Sequence, residues 1–355
     1  MSNSNRAFLL GPLLKAVSRS FYLTMRVLPA GMRDPVGEAY LLARAADTIA
    51  DTSLIPPDQR LALLLSLRDR INGVTGDDAG LRRIAGEVAG QQTQSDEKRL
   101  LESLDGALDV LAQLGETDRA AVRDIVTTLT QGMEFDLRRF PDERSGRIAA
   151  LDTLDDLDRY TYLVAGCVGE FWTTMTYLHL PGAFDSALRE TMSQRGVRFG
   201  KALQLVNVLR DCGKDLRIGR CYLPASMLAP AGLTAEDLLQ PGASARAQAI
   251  MFELVRVALD HFRAAIDYTF ALPRLSVRLR LACLWPILIG LETLELLVAN
   301  QDWLDPAKAS KLKRNDVYRI LACSTLVAPS NALLRLWFGR LISRIEARIK
   351  TRIKT

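Results

Sequence analysis

Apolar residues recur every three or four positions along almost the whole chain. In "DQRLALLLSLRDRI" (58–71), "EKRLLESLDGALDVLAQLG" (97–115), "DRAAVRDIVTTLTQGMEFDLRRF" (118–140) and "ARAQAIMFELVRVALDHFRAAIDYTF" (245–270) this period predicts helices, and the wealth of Ala, Leu, Arg and Glu agrees. No stretch alternates convincingly as a strand would. Gly and Pro gather in short connectors such as "LPAGMRDPVG" (28–37), "LPGAF" (180–184) and "LAPAG" (228–232). No Ser/Gly-rich or Pro-rich linker and no block of charge separates two halves. The pattern predicts an all-α protein, one large helical domain over 1–355, with no fixed-period repeat.

Two apolar segments need separate treatment. "LACLWPILIGLETLELLVAN" (281–300) is nearly long enough to span a bilayer. Pro286 interrupts it, and Glu292 and Glu295 would sit in hydrocarbon at a cost of about 3 kcal/mol each, so a buried core helix is expected. "NALLRLWFGRLISRIEARIKTRIKT" (331–355) sets Leu334, Phe338, Leu341, Ile345 and Ile349 on one side, with basic residues from Arg335 to Lys354 elsewhere and the single acid Glu346. Such a basic amphipathic helix either lies on an anionic membrane surface or packs its stripe on the core.

Composition narrows the class without naming a partner. At 355 residues, 48% hydrophobic and 25% charged, the chain can bury a large core and is not disordered. A net charge of +5 suits nucleic acid, an anionic membrane or an anionic small substrate equally. Five cysteines without a CxxC pair, and only His179 and His261, argue against a disulfide framework or structural zinc and fit a reducing compartment. No long apolar stretch with a cleavage site is read near the start, so the expected location is cytoplasmic, with peripheral contact at the membrane through 331–355.

The candidate chemistry lies in two acidic stripes. In "RAADTIAD" (44–51), Arg44, Asp47 and Asp51 share one helix face, and Tyr40 precedes them at the same spacing. In "QLVNVLRDCGKD" (204–215), Gln204, Asn207, Asp211 and Asp215 stay within an arc of roughly 80°. A lone DxxxD is usually a solvated face. Two matching stripes in otherwise apolar helices suit Mg²⁺, which takes one or two carboxylates, keeps water and bridges to phosphate oxygens. A diphosphate held this way can leave carbon without an enzyme nucleophile, and the resulting cation needs a dry, aromatic wall.

Six blocks in order, "VSRSFYLTMRVLP" (17–29), "RAADTIAD", "GMEFDLRRF" (132–140), "RYTYLVAGCVGEFW" (159–172), "LQLVNVLRDCGKD" (203–215) and "GRCYLP" (219–224), together resemble the squalene/phytoene synthase family. The final third is similar more loosely, through "LRLACLWPILIG". The resemblance implies an all-α isoprenoid synthase fold with a central apolar cavity, and Mg²⁺-dependent head-to-head joining of two prenyl diphosphates. It implies that Asp47 and Asp51 hold metal at one diphosphate, and Asp211 and Asp215, assisted by Asn207, at the other. Arg19, Arg44 and Arg210 look like phosphate-binding arginines, Ser18 and Gln204 like polar contacts, Tyr160 like the active-site tyrosine, and Tyr222 like a further contact near the diphosphate. Gly166 and Gly169 resemble positions that leave room for a prenyl chain, against the plainer reading of close helix packing. Asp136 is either a site residue or a surface acid paired with Arg.

Within the family, "RAADTIAD" is similar to the squalene synthase form, which reduces presqualene diphosphate with NADPH. "DLRIGRCYLP" and "FDLRRF" look closer to phytoene and dehydrosqualene synthases, which lose a proton instead. The expectation is a squalene synthase using Mg²⁺ and NADPH, with dehydrosqualene or phytoene synthase as the alternative. The absence of a G-x-G-x-x-G turn excludes a Rossmann domain, though not NADPH. A non-catalytic adaptor for anionic lipid would explain the basic tail but not the acidic stripes, since carboxylates repel phosphate unless a cation intervenes. Nucleic acid is not expected as a partner.

Overall fold

The computed structural model describes residues 3–18, 21–74, 78–92 and 94–354, and they fold almost wholly into helices. Among them the only strands are Ala149–Ala150 and Arg220–Cys221, two residues each and paired in parallel. The chain is all-α. Its helices group into two compact units, Met1–Arg138 with Thr174–Pro181, and Arg139–Thr173 with Gly182–Thr355. Neither unit is a continuous stretch, so no single linker exists for the sequence to announce.

The first unit is organised on the helix Ala30–Asp51, where Leu41, Leu42, Ala45, Ala46 and Ile49 are fully buried at helical spacing. It packs on the helices Pro57–Ile71, Ser95–Glu102 and Leu104–Gln113. The connector expected at 28–37 is mostly the start of this helix, with Pro35 inside it. A proline this close to an N-terminus removes a hydrogen bond only from the opening turns, and burial of Pro35 and Val36 compensates. At the far end Arg60, 1% exposed, donates Nη1 to the Ala50 carbonyl at 2.8 Å and caps the turn that carries Asp51. The long helix expected over 97–115 is broken at Ser103, whose hydroxyl bonds back to the Arg99 carbonyl at 2.7 Å.

Glu38, on the same helix, is fully buried, and neither carboxyl oxygen has a hydrogen-bond partner among the described residues. Burial pushes its pKa up to about 8, the Arg6 charge opposing and Asp34 adding to the rise. A raised carboxyl favours the fold below its unfolded pKa and loses that contribution as pH climbs to the folded value. Glu38→Gln should therefore gain melting temperature relative to the unaltered protein as pH rises from about 5 to about 9. Parallel melting curves across that range would refute a buried, neutral Glu38.

In the second unit the helix Arg189–Arg217 packs on Gln248–Ala271, on Val277–Ala299 and on the wide-turned segment Tyr162–Gly166 that leads into Cys167–His179. Two backbones touch here: a Cβ on Gly169 would lie 1.7 Å from the Gly196 carbonyl oxygen, and one on Gly200 would lie 2.0 Å from that of Ala165. Gly169 is thus a point of helix contact, and a prenyl-chain role is not what requires a glycine there. The C-terminal helix Asn331–Lys354 buries Leu334, Phe338, Leu341, Ile345 and Ile349 and packs on Val277–Ala299 and Gln248–Ala271. Core packing is what the apolar stripe does, and Arg335, Arg340, Arg344 and Arg348 stay exposed. Val277–Ala299 is long and apolar enough to cross a membrane, but 67% of its apolar window is buried inside the protein. Glu295 on it pairs with Arg344 at 2.9 Å, and Glu292 lies 3.6 Å from Arg319.

Candidate active site

Helical spacing delivers the first stripe as expected. Arg44 donates Nη1 to Asp47 at 2.6 Å and Nη2 to Glu97, a nearly buried acid of the helix Ser95–Glu102. Its Nε is buried with no partner among the described residues. The Asp47 side chain is partly exposed. Burial first, then the Asp51 charge, pushes its carboxyl up to about 7, with Arg44 opposing and Glu97 adding. Asp51 is exposed one turn on. Tyr40 donates its hydroxyl to the Val17 carbonyl at 3.4 Å, tying the stripe to the turn that carries Ser18. The Ser18 hydroxyl itself bonds back to the Leu14 carbonyl. Arg19 lies outside the described residues.

The second stripe occupies the helix Arg189–Arg217. Asn207 donates to Gln204 at 3.3 Å, and Arg210 grips both carboxyl oxygens of Asp211. Asp215 is half-buried one turn further on. Gly213, between the acids, is there for packing: a Cβ would lie 2.1 Å from the Leu304 carbonyl oxygen.

In the same unit the Tyr160 and Tyr222 rings stack at 4.6 Å, and the Phe140 edge meets Tyr222 at 5.0 Å. All three are buried. The turn that delivers Tyr222 is built by Gly219, whose φ of +84° and nearness to the Arg147 carbonyl (2.6 Å from a Cβ) demand glycine. Pairing of Arg220–Cys221 with Ala149–Ala150 then fixes the register. Sequence reading missed this bridge because two-residue strands have no period to detect. It also missed Glu97, 53 residues from its partner Arg44 in a segment read only as a periodic helix, and Phe140. Cys167 and Cys212 are buried, with burial pushing the Cys167 thiol up to about 12 and Cys212 higher than usual, as packing residues should be.

Among the described residues no three His, Cys, Asp or Glu side chains gather into a complete protein cage for a metal. The donor set nevertheless fits Mg²⁺. Each stripe pairs two carboxylates that supply hard oxygens, and a divalent ion would favour the charged form of Asp47, which burial first and the Asp51 charge second disfavour.

Comparisons with known proteins identify the family. The profile of the family described as Squalene/phytoene synthase matches residues 14–315. The presqualene diphosphate synthase of Rhodopseudomonas palustris is 32% identical over 74% of this chain and 78% of its own. The squalene synthase of Dictyostelium discoideum is 27% identical over 72% of this chain, and the bifunctional lycopene cyclase/phytoene synthase of Pyrenophora tritici-repentis 26% over 91%. The chain spans only 56% and 49% of those two proteins. In fold it is similar to TcSQS in complex with E5700, with a TM-score of 0.72 at 22% identity over 99% of both chains. A dehydrosqualene synthase follows at 0.58 and 21%, covering 90% of this chain and 94% of its own. With residues 14–315, most of its length, matched by one profile, the chain belongs to the squalene/phytoene synthase family.

Proposed function

We propose that the chain condenses two farnesyl diphosphates head to head to presqualene diphosphate. The observation that carries this reading is that each acidic stripe holds its own arginine, Arg44 on Asp47 and Arg210 on Asp211. Such a couple can exchange partners: the carboxylates of Asp47 and Asp51, and of Asp211 and Asp215 with Asn207, would hold Mg²⁺, and the freed guanidinium forks would bind diphosphate oxygens. Mg²⁺ would supply the positive charge that stabilises a departing diphosphate. Gln204, beside Asn207, and Ser18, next to the Val17 carbonyl that Tyr40 binds, are polar side chains near the two stripes. Tyr160, held flat against Tyr222, offers a water-free aromatic face to a carbocation, and its Oη is the atom that would take or return a proton.

Release at the diphosphate stage is supported by the similarity to the Rhodopseudomonas palustris protein, 78% of whose length this chain spans. A second reading, reduction onward to squalene with NADPH, is favoured by the form of "RAADTIAD" and by the Dictyostelium discoideum relative. The described strands are too short for a dinucleotide-binding turn, so no residue is assigned to NADPH. Incubation with farnesyl diphosphate and Mg²⁺, with and without NADPH, followed by mass spectrometry of extracted diphosphates and hydrocarbons, separates the readings. Presqualene diphosphate accumulating in both reactions is expected. Squalene formed only with NADPH would favour the second reading. Dehydrosqualene regardless of NADPH would favour the proton-loss alternative, and no product from farnesyl or geranylgeranyl diphosphate would sink condensation altogether.

A further inference from the structure

Leu275 and Leu326 are the two most exposed large apolar side chains among the described residues, at 89% and 83%. They belong to different connections, the loop at 272–276 and the end of the helix Arg314–Val327, yet one buried guanidinium holds both connections. Arg280 donates Nη1 to the Leu272 carbonyl at 2.9 Å and Nε to the Ala328 carbonyl at 2.8 Å, and Nη2 to the Asn331 side chain. The two apolar tips therefore stand at the same end of the second unit. Leu333 and Leu336, 51% and 59% exposed at the start of the C-terminal helix, continue the patch.

The charge around these tips has one sign. Neither 272–291 nor 317–345 contains an Asp or Glu. Arg274, Arg278, Arg335 and Arg340 are exposed and have no carboxylate partner among the described residues, although Arg335 lies over the Phe270 ring at 5.0 Å. An open groove lined by Arg335, Leu336, Gly339, Arg340, Ser343 and Arg344 runs beside them. Unshielded leucines rimmed by arginines complement a surface that is anionic outside and apolar beneath.

We propose that this end of the second unit docks on an anionic lipid bilayer, with Leu275 and Leu326 entering the acyl boundary and the arginines resting on phosphate headgroups. The docking element is thus the loop tip at Leu275 with the helix end at Leu326, and the buried stripe of the C-terminal helix takes no part. This inference does not depend on the catalytic reading.

Flotation of the full chain with vesicles tests it, using phosphatidylcholine alone and phosphatidylcholine mixed with phosphatidylglycerol. The unaltered protein should float with the mixed vesicles and poorly with the neutral ones. Leu275→Ser combined with Leu326→Ser should weaken binding by at least about tenfold, the scale expected for removing two inserted apolar side chains. Arg274→Gln, Arg278→Gln and Arg340→Gln together should erase the preference for phosphatidylglycerol. Leu54→Ser, at a leucine 65% exposed in the other unit, should change nothing. The proposal falls if the unaltered protein ignores both vesicles, if the double serine variant floats normally, or if Leu54→Ser weakens binding as much. It falls equally if sedimentation shows a dimer that the serine variants split, for the patch would then belong to a second copy of the chain.

Discussion

Asp47→Asn is expected to lower turnover of farnesyl diphosphate by at least about a hundredfold while leaving the melting temperature at about pH 8 unchanged or higher. The two effects have one origin. Burial and the neighbouring Asp51 make the Asp47 charge unfavourable in the folded protein, with its pKa pushed up to about 7. A carboxyl raised in this way supports the fold only while protonated, fully below its unfolded value near 3.8 and not at all above about 7. Asparagine removes a charge that opposes folding at working pH but matters when a diphosphate must leave, where losing such stabilisation is worth about 3 kcal/mol or more. Asp211→Asn should lose activity similarly. An enzyme that is merely misfolded would lose both quantities together, so measuring kcat and melting temperature on the same samples decides. Near-normal turnover in both variants would remove the stripes from the site.

The largest effect on stability is expected at Gly169. Alanine there would place its Cβ 1.7 Å from the Gly196 carbonyl oxygen, and neither backbone can yield without moving a helix. Gly169→Ala should destabilise the protein by about 3 kcal/mol or more, at or beyond the upper end of ordinary overpacking. Gly339→Ala is the control, since a Cβ there meets nothing within 4 Å. At this exposed position of the helix it should be neutral or stabilising by up to about 1 kcal/mol. Thermal melts that place the two variants together would show that the close contact between helices is not fixed as described.

Much of this was legible in the sequence, and the limits follow from distance along the chain. Long helices such as Pro57–Ile71, Glu116–Arg139 and Gln248–Ala271 emerge within a residue or a few of their expected ends, because a 3.6-residue period is a local property. The acidic stripes were legible for the same reason, since Asp47 and Asp51, like Asp211 and Asp215, are separated by one turn of one helix. Pairings between remote segments were not. Nothing near Arg44 announces Glu97, and nothing in "AGCVG" says that Gly169 will lie against Gly196, because each depends on where a second helix comes to rest. The C-terminal stripe shows the boundary clearly. Its amphipathicity was plain, but periodicity reveals only that a face is apolar, and whether protein or lipid covers it depends on the helices that pack there.

The Arg280 staple also sets an order in time. Its acceptors at Ala328 and Asn331 follow it by 48 and 51 residues, whereas those at Leu272 and Thr269 precede it. A chain emerging from the ribosome therefore has half of the guanidinium's partners ready when Arg280 appears and must wait for the rest. Until they arrive, drying this charge would leave donors unsatisfied, so water stays in that part of the core. Closure of the second unit is thus tied to Ala328 and Asn331, made 48 and 51 residues after Arg280, and the loop bearing Leu275 takes its final position only when the turn after Leu326 arrives.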